Sequence, residues 1–263
     1  MRWFAVVFVA FSACGGGARA PELPPPSAPL AAAPSALEAK PLNTTGLSVE
    51  SLAIPSSRAR VRVIAPLFGA RLALASARDF EVRWLSENLD ADGLGIDVEL
   101  DANRPRRLPA SAASILLGSL VPAGEEPSLG EHWLFVAPIS ASALVPRDAA
   151  GARAAVAVRF SIGEGAPSAT ERGAVWLHEP EGTYNGPNDA HIPFEAIAFS
   201  AEGAPLPLRC EIRLSGKRHG ELDFPGPFSI AELESGDYDV TAFVAGNASS
   251  RTITVNAELG RPK

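Results

Sequence analysis

From about residue 58 onward, apolar and polar residues alternate in short runs. Arg60-Val61-Arg62-Val63-Ile64 is the first. Phe80, Val82 and Trp84 follow, then Ile96, Val98 and Leu100, then His132, Leu134 and Val136, then Val156, Val158 and Phe160. Successive side chains of a strand point to opposite faces, so each run predicts a half-buried β-strand. Gly, Pro and Asp punctuate the runs as turn residues do. No long segment beyond the N-terminus carries a helical period, so the pattern predicts an all-β chain of sandwich or barrel type.

The pattern also repeats. Val63-Ile64-Ala65-Pro66 with Gly69 matches Leu177-His178-Glu179-Pro180 with Gly182. Phe80-Val82-Trp84 matches Ile192-Phe194-Ala196, and Ile96-Val98-Leu100 matches Cys210-Ile212-Leu214. Ser114-Ile115 matches Ser229-Ile230, and the run from Gly130 matches the run from Gly236. Strand order holds while loop lengths differ. The expected organisation is a diverged duplication, with one domain over 58–163 and a second over 172–260.

Each unit has the size of an immunoglobulin-like sandwich. Leu233-Glu234-Ser235-Gly236-Asp237-Tyr238 resembles the Leu-x-x-Gly-x-Tyr corner of immunoglobulin-like and fibronectin type III folds. That resemblance implies a Tyr238 hydroxyl turned back onto the main chain. His132 takes the matching place in the first unit. The segment from Phe228 to Val240 is also similar to transthyretin-like modules of bacterial surface proteins. All these resemblances imply two tandem antiparallel β-sandwiches.

The N-terminus reads differently. Arg2 precedes the nine-residue apolar run Trp3–Phe11. Such a run fits a signal-peptide core and falls short of the about 20 residues a spanning helix needs. Phe11-Ser12-Ala13-Cys14 resembles the lipobox of bacterial lipoproteins, with Phe11 where Leu is usual. The resemblance implies a signal peptide over 1–13 and acyl chains on Cys14. Two or more chains hold a protein at a bilayer where one does so only marginally. Gly15, rather than Asp, follows the cysteine, which by the same resemblance favours the outer over the inner membrane. Residues 14–57 are rich in Gly, Ala, Pro and Ser and predict a disordered tether. Its 43 residues from 15 to 57 would span roughly 40 Å as a coil.

Net charge is −7, and of 23 basic residues three are Lys. An acidic chain without a basic patch speaks against nucleic acid as a partner. There are two cysteines. With Cys14 lipidated, Cys210 has no disulfide partner, and its alternation with Leu208, Ile212 and Leu214 predicts a buried strand position.

Catalytic chemistry is sparse. Asp90-Ala91-Asp92-Gly93 opens like a calcium loop, but the positions that should supply further ligands are Leu94 and Ile96. Asp97 and Asp101 alternate with core residues and are expected to face water. His178, Glu179, Glu181, Asp189 and His191 are metal-ligand types, yet Pro180 forbids the helix of a His-Glu-x-x-His site. A metal-dependent hydrolase around His178 and His191 is the weakest of three expectations. Glu125-Glu126 and the cluster Arg104, Arg106 and Arg107 read as solvated surface. Trp133 and Phe135 alternate against His132, Leu134 and Val136, so their face is either buried against the neighbouring domain or the 137–152 loop, or turned outward as an aromatic pair that would offer a surface for a glycan or a partner. The expected function is a non-catalytic, lipid-anchored envelope protein that displays two sandwiches for binding or scaffolding. Its partner is an unknown envelope protein or glycan, and no cofactor or metal is called for. A carbohydrate-binding envelope module is the alternative.

Overall fold

A computed structural model describes residues 48–101, 103–148, 151–163, 173–185, 192–206, 210–215, 220–224, 226–231, 233–244 and 247–256. Cys14, Asp189 and His191 lie outside the described residues, and so do residues 1–47 as a whole. No described helix is long and apolar enough to cross a membrane.

The described chain is built from strands. In the first half they are β1 (Ser48–Ser51), β2 (Arg60–Ala65), β3 (Arg71–Leu72), β4 (Glu81–Glu87), β5 (Gly95–Leu100), β6 (Arg106–Leu108), β7 (Ser114–Leu116), β8 (Gly130–Ile139) and β9 (Val156–Ile162). In the second they are β10 (Ala174–Glu179), β11 (Thr183–Asn185), β12 (Ile192–Phe199), β13 (Pro205–Leu206), β14 (Cys210–Ser215), β15 (Gly220–Phe224), β16 (Phe228–Ala231), β17 (Gly236–Val244) and β18 (Asn247–Asn256). The description of β14 and β15, and so of Cys210, is limited to the backbone.

Sandwich 1 pairs the sheet β2-β4-β7 with the sheet β3-β9-β8-β5-β6. Sandwich 2 repeats both. Its sheets run β1-β16-β12-β10, with β13 on β12, and β11-β18-β17-β14-β15. Pairing is antiparallel except at β3–β9 and β11–β18, the same short parallel contact in each copy. The landmarks coincide too. Ala65-Pro66 and Glu179-Pro180 are both cis, and a register shift precedes each proline, between Val63 and Ala65 and between Leu177 and Glu179. Gly69 and Gly182 follow at φ 73° and 72°, a left-handed turn that suits glycine. The duplication inferred from pattern is therefore a duplication of topology.

Each copy has its own core. In sandwich 1, Val82, Trp84, Ile96, Val98, Leu134 and Phe160 fill the space between the sheets. In sandwich 2, Leu177, Phe194, Phe228, Tyr238, Val240 and Ile253 do so. Large apolar side chains alternate inward from both layers, and burying each contributes about 2 kcal/mol.

One element departs from the sequence expectation. The end of the segment expected to be a disordered tether is structured, because Ser48–Ser51 form β1. This strand pairs with β16 of sandwich 2, Val49 opposite Ile230, rather than with the nearer sandwich 1. Val49 packs on the sandwich 2 core, while the other three residues are exposed. Ser-Val-Glu-Ser has one apolar residue and no alternation to read. Its strand conformation comes from the hydrogen bonds that the β16 edge offers.

Candidate functional site

The two sandwiches meet face to face. The outward face of β5, β8 and β9 packs on the outward face of β10 and β12. Phe135, Ala137, Ile139, Val145, Ala155 and Ala157 contribute from sandwich 1, and Ala174, Trp176, Ile197 and Phe199 from sandwich 2. Phe135 stacks on Trp176 with ring centroids 5.5 Å apart. Of the two dispositions open to this face, Phe135 takes burial against the neighbouring domain, and no outward Trp133–Phe135 pair forms. Phe135 is only 2% exposed, covered by the second sandwich. Trp133 sits at the rim, half-buried, stacked on Phe135 at 6.5 Å, edge-to-face with Phe68, and under the Arg159 guanidinium.

A charged cluster lies inside this interface. Asp97 and Glu99 on β5, His178 on β10 and Glu195 on β12 are all 1% exposed or less. Arg107 on β6 grips Asp97 with both arms, Nε to Oδ1 at 3.0 Å and Nη2 to Oδ2 at 2.9 Å. His178 Nε2 reaches Asp97 Oδ2 from the other sandwich at 3.0 Å. Glu99 Oε2 accepts the Trp176 indole N–H at 2.7 Å and Arg251 Nη2 at 2.5 Å. Glu195 forms an ion pair with Arg153 and accepts the Val145 main-chain N–H at 3.1 Å. Arg251 also donates to the His178 carbonyl at 3.0 Å. Each of the three deepest carboxylates thus binds at least one partner in the opposite sandwich.

The expectation that Asp97 faces water is therefore wrong, and Arg107 is not mere solvated surface. Alternation identifies the two faces of β5 correctly. It cannot tell that the polar face is buried under a second domain. The signal for this burial is on β10, where all six residues from Ala174 to Glu179 are buried. A strand apolar on both faces is covered on both faces.

Ionisation follows from the packing. Burial pulls the Asp97 pKa upward, but hydrogen bonds from His178 and Arg107 outweigh it and hold the carboxyl below its ordinary value. With Asp97 ionised, His178 Nε2 carries the proton. Burial keeps the ring neutral by lowering its pKa, against the pull of Asp97. Among the described residues His178 Nδ1 has no hydrogen bond and lies 3.4 Å from Glu195 Oε2. Burial raises Glu99 to about 7 despite Arg251 and Trp176. Glu179, at the margin of the cluster and bonded by the Tyr184 hydroxyl at 3.0 Å, is likewise raised by burial to about 7. With its deepest groups sealed off and its carboxylates taken up, this arrangement clamps the two bodies together.

The other candidate residues do not converge. Asp92 accepts the Ser57 hydroxyl at 2.5 Å and the Arg58 N–H at 3.2 Å, whereas Asp101 accepts the Trp133 N–H at 2.8 Å and contacts His132. With Asp97 in the interface, Asp92, Asp97 and Asp101 have three separate jobs. Glu126 pairs with Arg78 on the surface at 2.6 Å. Arg106 donates to the Ser119 carbonyl at 3.0 Å, and Arg104 lies 3.8 Å from Glu181. Among the described residues no group of three metal-ligand side chains gathers.

The corners complete the class. Tyr238 Oη donates to the Glu234 carbonyl at 3.0 Å. His132 Nε2 meets the Ser128 carbonyl at 2.9 Å, also four residues back. Strand order and corner together define tandem immunoglobulin-like β-sandwiches. No protein-family profile matches the sequence, and no curated protein matches it. Solved structures are similar only loosely. The fibronectin type III-like modules of CbhA from Clostridium thermocellum share 12% identity, cover 77% of this chain and 98% of theirs, and give a TM-score of 0.26. The titin Z1Z2 domains in complex with telethonin share 10% over 78% and 99%, at 0.25. Extracellular domains 3–5 of Drosophila OTK share 13% over 78% and 67%, at 0.24.

Proposed function

We propose that this chain is a bacterial envelope lipoprotein, held at a membrane by acyl chains on Cys14, that presents a rigid two-sandwich body for binding or scaffolding without catalysis. The observation that carries the reading is Phe11-Ser12-Ala13-Cys14 behind a nine-residue apolar run. Gly15 favours the outer membrane. The partner is an envelope protein or glycan rather than nucleic acid, in keeping with a net charge of −7. The clamped interface supports a scaffolding role, since buried ion pairs and stacked aromatics fix one geometry between the sandwiches. In this reading the residues after Cys14 serve as a leash that ends at Ser48, where β1 begins.

Metabolic labelling with a clickable fatty acid tests the anchor. Wild type should take up label and fractionate with membranes. Cys14→Ser should do neither. An unlabelled wild type, or label retained by Cys14→Ser, rejects it.

A further inference from the structure

An open cleft of about 720 Å³ lies in sandwich 1 where three segments meet. Ser56 to Arg58 come from the approach to β2, Asn88 and Asp92 from the β4–β5 connection, and Arg147, Asp148 and Gly151 from the β8–β9 connection. The volume falls within the roughly 300–1,000 Å³ of small-ligand sites.

Its cations are idle. The Arg58 guanidinium has no hydrogen bond or ion pair among the described residues, and Arg147 Nη1 has only a 3.4 Å approach to the Gly151 carbonyl. That is long for a hydrogen bond. The carboxylates beside them are already occupied. Asp92 holds Ser57 and the Arg58 N–H, and Asp148 Oδ1 accepts the Ala152 N–H at 3.0 Å. The walls are also fixed in advance. Ser57 N–H donates to the Arg147 carbonyl at 2.9 Å, and Arg147 N–H to the Pro55 carbonyl at 2.8 Å. Asn88, at φ 61° and also lining the cleft, donates its side-chain N–H to the Arg58 carbonyl at 3.1 Å.

We propose that this cleft binds a small ligand carrying an oxyanion, carboxylate or phosphate, on a hydroxylated scaffold such as an acidic sugar. Two guanidiniums on a preformed wall match an oxyanion in charge and planar geometry. The Asn88 carbonyl and the Ser56 hydroxyl are suited to ligand hydroxyls. The proposal deepens the binding reading above and is independent of Cys14, which the fatty-acid label reads separately.

Calorimetric titration of the full chain in detergent, at low ionic strength, with D-glucuronate, glucose 6-phosphate and glucose is the test. At least one anion should bind and glucose should not, and the anion that binds tells carboxylate from phosphate. Arg58→Ala and Arg147→Ala should each weaken binding by about tenfold or more, the order expected when a charged hydrogen bond is lost. Both variants should keep the wild-type melting temperature, because neither guanidinium supports the fold. Absence of binding by both anions, glucose binding as tightly as the anions, or undiminished binding in the Arg58→Ala/Arg147→Ala double variant overturns the proposal.

Discussion

His132 and Tyr238 make the same hydrogen bond at equivalent points of the two sandwiches, each to the carbonyl four residues upstream. Tyr238 is fully buried and His132 nearly so. Removing the Tyr238 hydroxyl leaves the Glu234 carbonyl with one partner fewer. Tyr238→Phe should therefore lower stability by about 1–2 kcal/mol. A shifted denaturant midpoint at unchanged slope checks it.

The histidine version of the corner is titratable where the tyrosine version is not. Its Nδ1 lies 2.8 Å from Asp101 Oδ2 while Nε2 faces a carbonyl, so both nitrogens donate in the imidazolium form. Burial lowers the His132 pKa, but Asp101 and Ser128 outweigh it, and the net shift is upward. A raised folded-state pKa gives stability that is full below the unfolded value near 6.5 and lost as pH rises through the folded value. Sandwich 1 should thus weaken on the alkaline side of neutrality. His132→Tyr should flatten that dependence in pH-resolved denaturation curves, and Asp101→Asn should lower the His132 pKa read by NMR.

The interface carboxylates work in the same direction. Glu99 rises from 4.5 to about 7 on folding, as does Glu179. Their stabilising effect is full below about 4.5 and is lost as pH rises through about 7. For Glu99, buried against Trp176, it is on the order of 3 kcal/mol. His178, lowered by burial, acts oppositely, and its contribution fades as pH falls through its depressed folded value. The interface should hold best in acid and loosen as pH rises from about 4.5 through about 7. Trp176 fluorescence should report the loosening as a red shift, and Glu99→Gln should reduce the pH dependence, leaving the part due to Glu179.

At Gly203 the main chains of the two sandwiches touch. Its carbonyl accepts the Ala157 N–H at 3.2 Å, and a Cβ at Gly203 would sit 1.9 Å from the Ala157 carbonyl oxygen. Gly203 also has φ 82°, where a side chain is strained. Gly203→Ala should force the bodies apart and cost about 2–4 kcal/mol. Faster hydrogen exchange at β9 and β12, with the interior of β17 and β18 unchanged, would place the damage at the interface.

These residues also mark what the sequence alone could tell. The two cores were legible because alternation, prolines and turn glycines recur in one order in both halves. The Tyr238 corner was legible because its spacing is local. The clamp was not. Asp97 and Glu99 alternate with Ile96, Val98 and Leu100 as solvent-facing residues do, and only the second sandwich takes the solvent away. Arg153, Glu195 and Arg251 each find partners more than forty residues away, a distance over which periodicity carries no information. The open cleft is similar, assembled from three connections whose residues look like ordinary turns.

The placement of β1 makes sandwich 2 discontinuous in sequence. All of sandwich 1 is an insertion between the edge strand of sandwich 2 and its next strand, β10. A cut between Gly163 and Gly173, where the sequence pattern divides the two domains, would thus release a second half with the β16 edge bare. Such an edge recruits foreign strands. The smallest faithful unit for separate study is the whole of 48–256.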